Sequence, residues 1–401
     1  MSKENKLIPE LRFPEFVKDG VWEEKELSDV CEITNGKANA QDHIEEGLYP
    51  LFDRSEIIKA TNNYIFDCEA VIIPGEGMRF IPKYYEGKFN LHQRAYALKD
   101  FSCIGQFVYY SMFHRSNLIS QKAVQSTVLS LRLPILQSFP IEIPSNPQEQ
   151  QKIASCLSSL DELIAAHNDK LEVLKDHKKG LMQNLFPPAN SSHCGPDPQS
   201  PRIPPYRFPE FEGDGEWSKK KLGDKEVAFI VSEKISINKL NIETYISTEN
   251  MLPDFSGVSA ASKLPATGNF TKFKIGDILI SNIRPYLKKV WKSDKVGGAS
   301  NDVIVFRSGT EVLNEFLEFI LKNEKFINYV MDSAKGVKMP RGDKDSMLNY
   351  TVFIPSKIEQ QKIASCLSAL DALITAQSEK IEQLQQHKKG LIQGLFPKMI
   401  K

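Results

Sequence analysis

Long apolar runs are missing from this 401-residue chain: hydrophobic residues make up 41% of it, yet no stretch approaches the ~18 residues of a membrane-crossing helix. No membrane partner is therefore expected. The opening MSKENKLIPE has basic residues with no apolar core behind them, so no secretory leader is expected and the cytoplasm is the expected compartment. Cysteine is sparse, and its six occurrences form no CxxC pair and have no histidine at metal spacing. A zinc site or disulfide framework is not expected, and the metal set is none. Cys156 and Cys366 hold equivalent places in two repeated segments, where the expected role is a small apolar core residue. Net charge is zero, which gives bulk electrostatics no argument for nucleic acid. Bases do exceed acids between Trp217 and Pro355, with Arg284, Lys288, Lys289, Lys292 and Lys295 close together, although such a run is usually a solvated face.

Catalytic signatures are missing too. PGEGMRF lacks the third glycine of a dinucleotide loop, and neither GxxxxGK[ST] nor HExxH occurs. IPPYRF at Ile203 imitates the Asn/Asp-Pro-Pro-Tyr motif of amino-methyltransferases, but isoleucine has no side-chain acceptor for a target amine, and the stretch reads as linker. Glu86 and Lys88 match a fragment of a nuclease metal site that a solvated turn explains equally well. The expected catalytic set is none.

What the chain does have is repetition. EQQKIASCLSSLDELIAAHNDK from Glu149 returns as EQQKIASCLSALDALITAQSEK from Glu359. In the first copy Ile153, Leu157, Leu160, Ile164, His167, Leu171, Leu174, Lys178, Leu181 and Leu185 advance by alternating fours and threes, the period of a coiled-coil seam. Ile363, Leu367, Leu370, Ile374, Gln377, Ile381, Leu384, Lys388, Leu391 and Leu395 repeat the steps, polar at the same two places. Ser356 with Glu359 reads as a capping box, and Asn146, Pro147 and Glu149 offer the same start. Pro187 and Pro397 mark the stops, so each helix should run about 36 residues, or about 55 Å. A single apolar stripe this long needs a partner, and the copies are each other's obvious one, antiparallel about a pseudo-two-fold axis. His167 and Gln377 then form a central polar pair that penalises slipped registers, or else lie at the seam edge with their heads in water.

Whole domains are duplicated. RFPEFVKDGVWEEKEL from Arg12 returns as RFPEFEGDGEWSKKKL from Arg207, AVIIPGEGMRF corresponds to DILISNIRPYL, KFNLHQRAYAL to VGGASNDVIVF, and SFPIEIPS to NYTVFIPS. The middles read as short strands rich in branched residues between turn formers, apart from one amphipathic helix in EVLNEFLEFILKNEKFINYVM from Glu311. The expected fold is α+β: two mixed domains over residues 1–148 and 207–358, each followed by a long helix over 149–187 and 359–397. Residues 188–206 form a proline-rich linker.

Paired variable domains, each followed by a helix opening EQQKIA and closing KKGLxQxLFP, resemble the specificity (S) subunit of type I restriction-modification enzymes. YISTENM, GDILISNIRPYLKKVW, GGASNDVIVF, KMPRGD and STVLSLRLPIL are similar to stretches of that family's target-recognition domains. The resemblance implies that each domain reads one half of a split, asymmetric target on double-stranded DNA, that the helices hold the halves at a fixed spacing, and that two methyltransferase (M) subunits dock here. It also implies nuclease-translocase (R) subunits. S-adenosylmethionine, ATP and Mg would be used by those partners, so this chain would hold no cofactor and no active site. Two rival readings remain: a coiled-coil adaptor whose paired domains bind proteins, and a self-sufficient DNA methyltransferase.

Base edges and phosphates call for Arg, Lys, Asn, Gln, Ser, Thr and aromatic side chains on loops. Loops placed alike in both copies select Arg54, Ser55, Arg79, Lys83, His92, Gln93, Arg94, Gln125, Ser126 and Thr127 in the first domain. In the second they select Thr248, Asn250, Asn282, Arg284, Tyr286, Lys288, Ser300, Asn301, Lys335, Lys338 and Arg341. Competing local roles exist: Asn301 and Asp302 also suit a turn cap, and Arg94 also suits pairing with a nearby acid.

Overall fold

The structure, a computed structural model, describes residues 7–124, 128–187, 202–334, 336 and 339–398. Two compact units divide the chain, Met1–Asp169 with Ser378–Lys401, and Lys170–Gln377. Each long helix, Pro147–Asn184 and Lys357–Leu395, is therefore shared between the units.

The repeated ends close each unit on itself. In the first, Glu23–Glu26 pairs antiparallel with Pro140–Ile143, and Glu23 faces Ile143. In the second, Ser218–Lys221 pairs with Thr351–Ile354 in the same register, Ser218 facing Ile354. Trp22 and Trp217, each just before its strand, are buried at 2% exposure, which anchors the start of both repeats in the cores.

Between these ends the two middles differ. The first unit carries a six-stranded sheet in the order Glu32–Asn35, Ala95–Lys99, Phe66–Pro74, Lys83–Leu91, Tyr49–Phe52, Lys59–Thr61. The second carries two four-stranded sheets. One holds Ala228–Ile230, Val303–Ser308, Ile278–Ser281 and Val290–Lys292, and the other Lys234–Ser236, Asn269–Phe273, Gly297–Ala299 and Tyr245–Ile246. The aligned stretches AVIIP with AYAL and DILIS with DVIVF form an inner antiparallel pair in each unit, Val71 facing Leu98 and Ile278 facing Phe306.

Three sequence expectations need correction. The apolar run from Glu311 forms two helices, Asn314–Lys322 and Glu324–Asp332. Asn323 adopts an extended conformation between them, accepts the Lys325 N–H at 3.0 Å and donates to the Met182 carbonyl at 2.9 Å, so a cap intervenes where periodicity alone continues. The first unit also has helices at Gly105–His114 and Ser116–Lys122 that strand patterning did not show. Cys156 and Cys366 are half-buried rather than core residues.

The capping box is only half formed. Ser356 Oγ accepts the Glu359 N–H at 3.3 Å, and Asn146 Oδ1 accepts the Gln148 N–H at 3.0 Å. The Glu carboxylates turn elsewhere. Glu149 takes two hydrogen bonds from Arg12, both 2.7 Å, and Glu359 takes two from Arg207, both 2.8 Å, plus one from Trp217 Nε1 at 3.3 Å. This pairing binds RFPEF to EQQKIA in both copies. The next residue is equally committed: Gln150 accepts from the Ile104 N–H and donates to the Pro144 carbonyl, while Gln360 accepts from the Leu313 N–H and donates to the Pro355 and Glu311 carbonyls. Buried amides that both donate and accept in this way fix how the helix leaves its domain.

The helices run in opposite directions. In the first unit Ile392, Leu395 and Phe396, from the end of the second helix, share a core with Ile153, Ala154 and Leu157 at the start of the first. In the second unit Leu185 and Phe186 share a core with Ile363, Ala364 and Leu367. The remaining seam residues Leu160, Ile164, Leu171, Leu174, Leu370, Ile374, Ile381 and Leu384 are all buried or half-buried. The polar seam positions have partners: Lys388 reaches Asp161 and lies over Tyr110, and Lys178 reaches Asp371 and lies over Phe319. Gln377 is buried and His167 half-buried, so neither head lies fully in water.

Candidate nucleic-acid interface

In each unit the loop leaving the strand Phe66–Pro74 or Ile278–Ser281 meets the turn that leads into that strand's antiparallel neighbour. In the first, the Gly75 N–H donates to the Arg94 carbonyl at 2.8 Å, and the Leu131 N–H donates to the Gly75 carbonyl at 2.8 Å. A β-carbon on Gly75 would stand 2.5 Å from that Arg94 oxygen, so this close approach requires glycine. In the second, the Asn282 N–H donates to the Asp302 carbonyl at 2.8 Å, and the Gly342 N–H donates to the Asn282 carbonyl at 3.1 Å. Residues 75–79 with 92–94, and 282–288 with 300–302 and 340–342, are thus equivalent loop clusters built by two different sequences.

The first cluster is rich in exposed cations. Arg94 NH1 donates to both carboxylate oxygens of Glu76 at 3.0 and 2.9 Å, and Arg54 NH1 lies 3.9 Å from the same group. Arg79 is exposed beside them. Gln93 donates to Asn39 Oδ1 at 2.9 Å, and His92 Nδ1 accepts the Arg94 N–H at 3.1 Å. Burial pushes the His92 imidazole below its ordinary value, favouring the neutral ring. Ser55 and Lys83 have local roles. The Ser55 hydroxyl and N–H both donate to Asp53, and Lys83 Nζ donates to the Ser55 and Glu56 carbonyls at 2.6 and 3.1 Å. Burial lowers the Lys83 ammonium. It would raise the Asp53 carboxyl, but hydrogen bonds from Lys59 and Ser55 and the Lys59 charge prevail and hold that group low. Gln125, Ser126 and Thr127 lie outside the described residues.

The second cluster holds four non-glycine residues in the left-handed region. Arg284 and Lys288, both at φ 52°, flank the turn Pro285–Leu287, and Asp254 and Phe255, at 50° and 61°, donate their N–H groups to the Leu287 and Lys288 carbonyls. Non-glycine residues pay about 1–2 kcal/mol each in this left-handed region, a cost usually found where a loop tip must be held in one shape. The tip carries Tyr286, 47% exposed, beside the exposed Arg284. Lys288 is neutralised by Glu324, and Arg341 NH2 donates to Asp302 Oδ1 at 2.8 Å. A cleft of about 530 Å³ lies alongside, lined by Thr248, Ser300 and Asp302 among others. Asn301 is exposed at the turn, and the Thr248 carbonyl accepts from Lys289 Nζ at 2.7 Å.

Two asparagines are placed differently from the sequence expectation. Asn250 is buried, accepting the Ser247 N–H and donating to the Tyr245 and Ser259 carbonyls, so its side chain shapes its own loop. Asn282 is buried too, and its Oδ1 has no hydrogen-bond partner among the described residues. Lys335 and Lys338 lie outside the described residues. Selecting donors alone overlooked Glu76 and left Asp302 only as a turn cap, although both carboxylates sit inside the clusters.

Two units with matched ends and unlike loops fit a chain that a single family model matches twice. The family model described as type I restriction modification DNA specificity domain matches residues 20–176 and again 215–386. The chain belongs to that family. It is 24% identical over 396 residues to the type I restriction enzyme EcoDI specificity subunit of Escherichia coli, covering 94% of this chain and 87% of that relative. It is 23% identical to the MjaVIII specificity subunit of Methanocaldococcus jannaschii, covering 96% and 93%. The crystal structure of the S subunit from M. genitalium shares the fold with a TM-score of 0.65 at 16% identity, covering 98% of this chain and all of that one. No helix among the described residues is long and apolar enough to cross a membrane.

Proposed function

We propose that this chain is the DNA-specificity subunit of a type I restriction-modification complex and reads a bipartite, asymmetric target, one half with each loop cluster. The observation that carries this is the family match made twice, over two units whose repeated ends are built alike and whose loop clusters are not. Unlike loops on matched frames suit two different half-sites. The long helices set the distance between those halves. Methyl transfer to adenine and cleavage belong to partner subunits: two methyltransferase subunits using S-adenosylmethionine, and nuclease-translocase subunits using ATP and Mg. The chain itself supplies recognition and holds no cofactor.

Competition for a labelled target duplex by the chain assembled with its methyltransferase partners tests this. A random duplex should compete about a thousandfold less well than the target or worse, as for other sequence-specific proteins. Equal competition would return the reading to a coiled-coil adaptor. Methyl transfer by the purified chain alone would instead support the methyltransferase rival.

A further inference from the structure

Each loop cluster contains an exposed arginine already held by a carboxylate. In the first unit Glu76 binds Arg94 and lies near Arg54, with side-chain exposures of 22% for the acid and 61% and 63% for the arginines. In the second, Asp302 binds Arg341, at 39% and 57%. The two pairs have one place in common, the turn, where the charge is of opposite sign. In the first unit the turn gives the arginine and the strand-end loop the acid, while in the second the turn gives the acid and the return segment the arginine. Ion pairs this exposed contribute about 0–1 kcal/mol to folding, so stability does not account for them.

Their effect on binding is larger. A free guanidinium is attracted to any phosphate, which strengthens binding to every sequence alike. Once paired, it must leave a carboxylate behind, next to a polyanion. That carboxylate regains partners only where the bases offer donors, as the cytosine amino group does, while the freed arginine takes the O6 and N7 of guanine. We infer that Glu76 and Asp302 are specificity-determining residues, which withhold Arg94 and Arg341 from the phosphates of off-target DNA. The inference rests on the DNA-reading function proposed above.

Salt titrations of binding to a fluorescent 30-base-pair duplex of random sequence test it, using the full chain with its methyltransferase partners. E76Q and D302N should each bind the random duplex about three- to tenfold more tightly at low salt, and the slope of log affinity against log salt should steepen by about one. On a target duplex titrated alongside, R94Q should weaken binding, whereas on the random duplex adding R94Q to E76Q should remove most of the gain that E76Q gives. Thermal midpoints near that of the unmodified protein confirm folding. If E76Q leaves random-duplex binding unchanged or weaker, or if the double variant keeps the full gain of E76Q, the withholding role is overturned, and continued preference for the target duplex leaves the DNA-reading function standing. Equal affinity of the unmodified protein for target and random duplexes would instead overturn that function.

Discussion

Replacing Glu359 with alanine should destabilise the second unit by about 3–5 kcal/mol, because it strands a buried charge. The Arg207 side chain is 7% exposed and that of Glu359 1%, and among the described residues the guanidinium's other hydrogen bonds reach the Asp214 and Gly215 carbonyls. The carboxylate also receives the Trp217 indole N–H, so its removal leaves a second buried donor without an acceptor. Glu149→Ala should have a comparable effect on the first unit through Arg12, 8% exposed. Replacing both partners by apolar residues, R207M with E359L, should recover most of the loss, since no charge is then stranded. Denaturant unfolding followed by probes in each unit would check this, and a loss below about 1 kcal/mol for Glu359→Ala would show that the pair does not moor the helix.

A second large effect concerns helix length. Deleting Ile164–Lys170 and Ile374–Lys380 together removes one heptad from each helix, carries the seam across both cuts in register and shortens each by about 10.5 Å. That is about three base pairs at 3.4 Å each. Binding to the original target should fall about a thousandfold, to the level of random DNA. Selection from a randomised duplex pool should recover the same two half-sites with a shorter unread spacer. An unchanged spacer would mean that the helices do not set it.

The helices were legible in the sequence because one buried stripe imposes a strict period, and the seam residues are indeed the covered ones. The ends of the repeats were legible for a similar reason: each makes the same strand pair and the same Arg–Glu contact, which leaves similar residues behind. What local pattern could not show was long-range purpose. Glu359 looks like a cap partner from its spacing to Ser356, but its carboxylate is claimed by an arginine 152 residues away. The helix Gly105–His114 has no polar stripe because Phe107, Val108, Tyr110, Ser111 and Met112 are all buried, so periodicity has nothing to report. The loop clusters were partly legible. Donor chemistry in aligned loops selects Arg94, Arg284, Tyr286 and Arg341, which are exposed, and also Asn250, which looks the same in sequence and is buried. Glu76 went unnoticed because its meaning depends on two arginines from other loops.

Two unlike loop clusters on one chain should read a single split target. Sequencing methylated adenines across the host genome, with this gene intact and deleted, tests it most directly. Deletion should abolish methylation at one motif made of two different half-sites separated by an unread spacer of constant length. A methylation pattern unchanged by deletion, or loss of a continuous motif without a spacer, would contradict it.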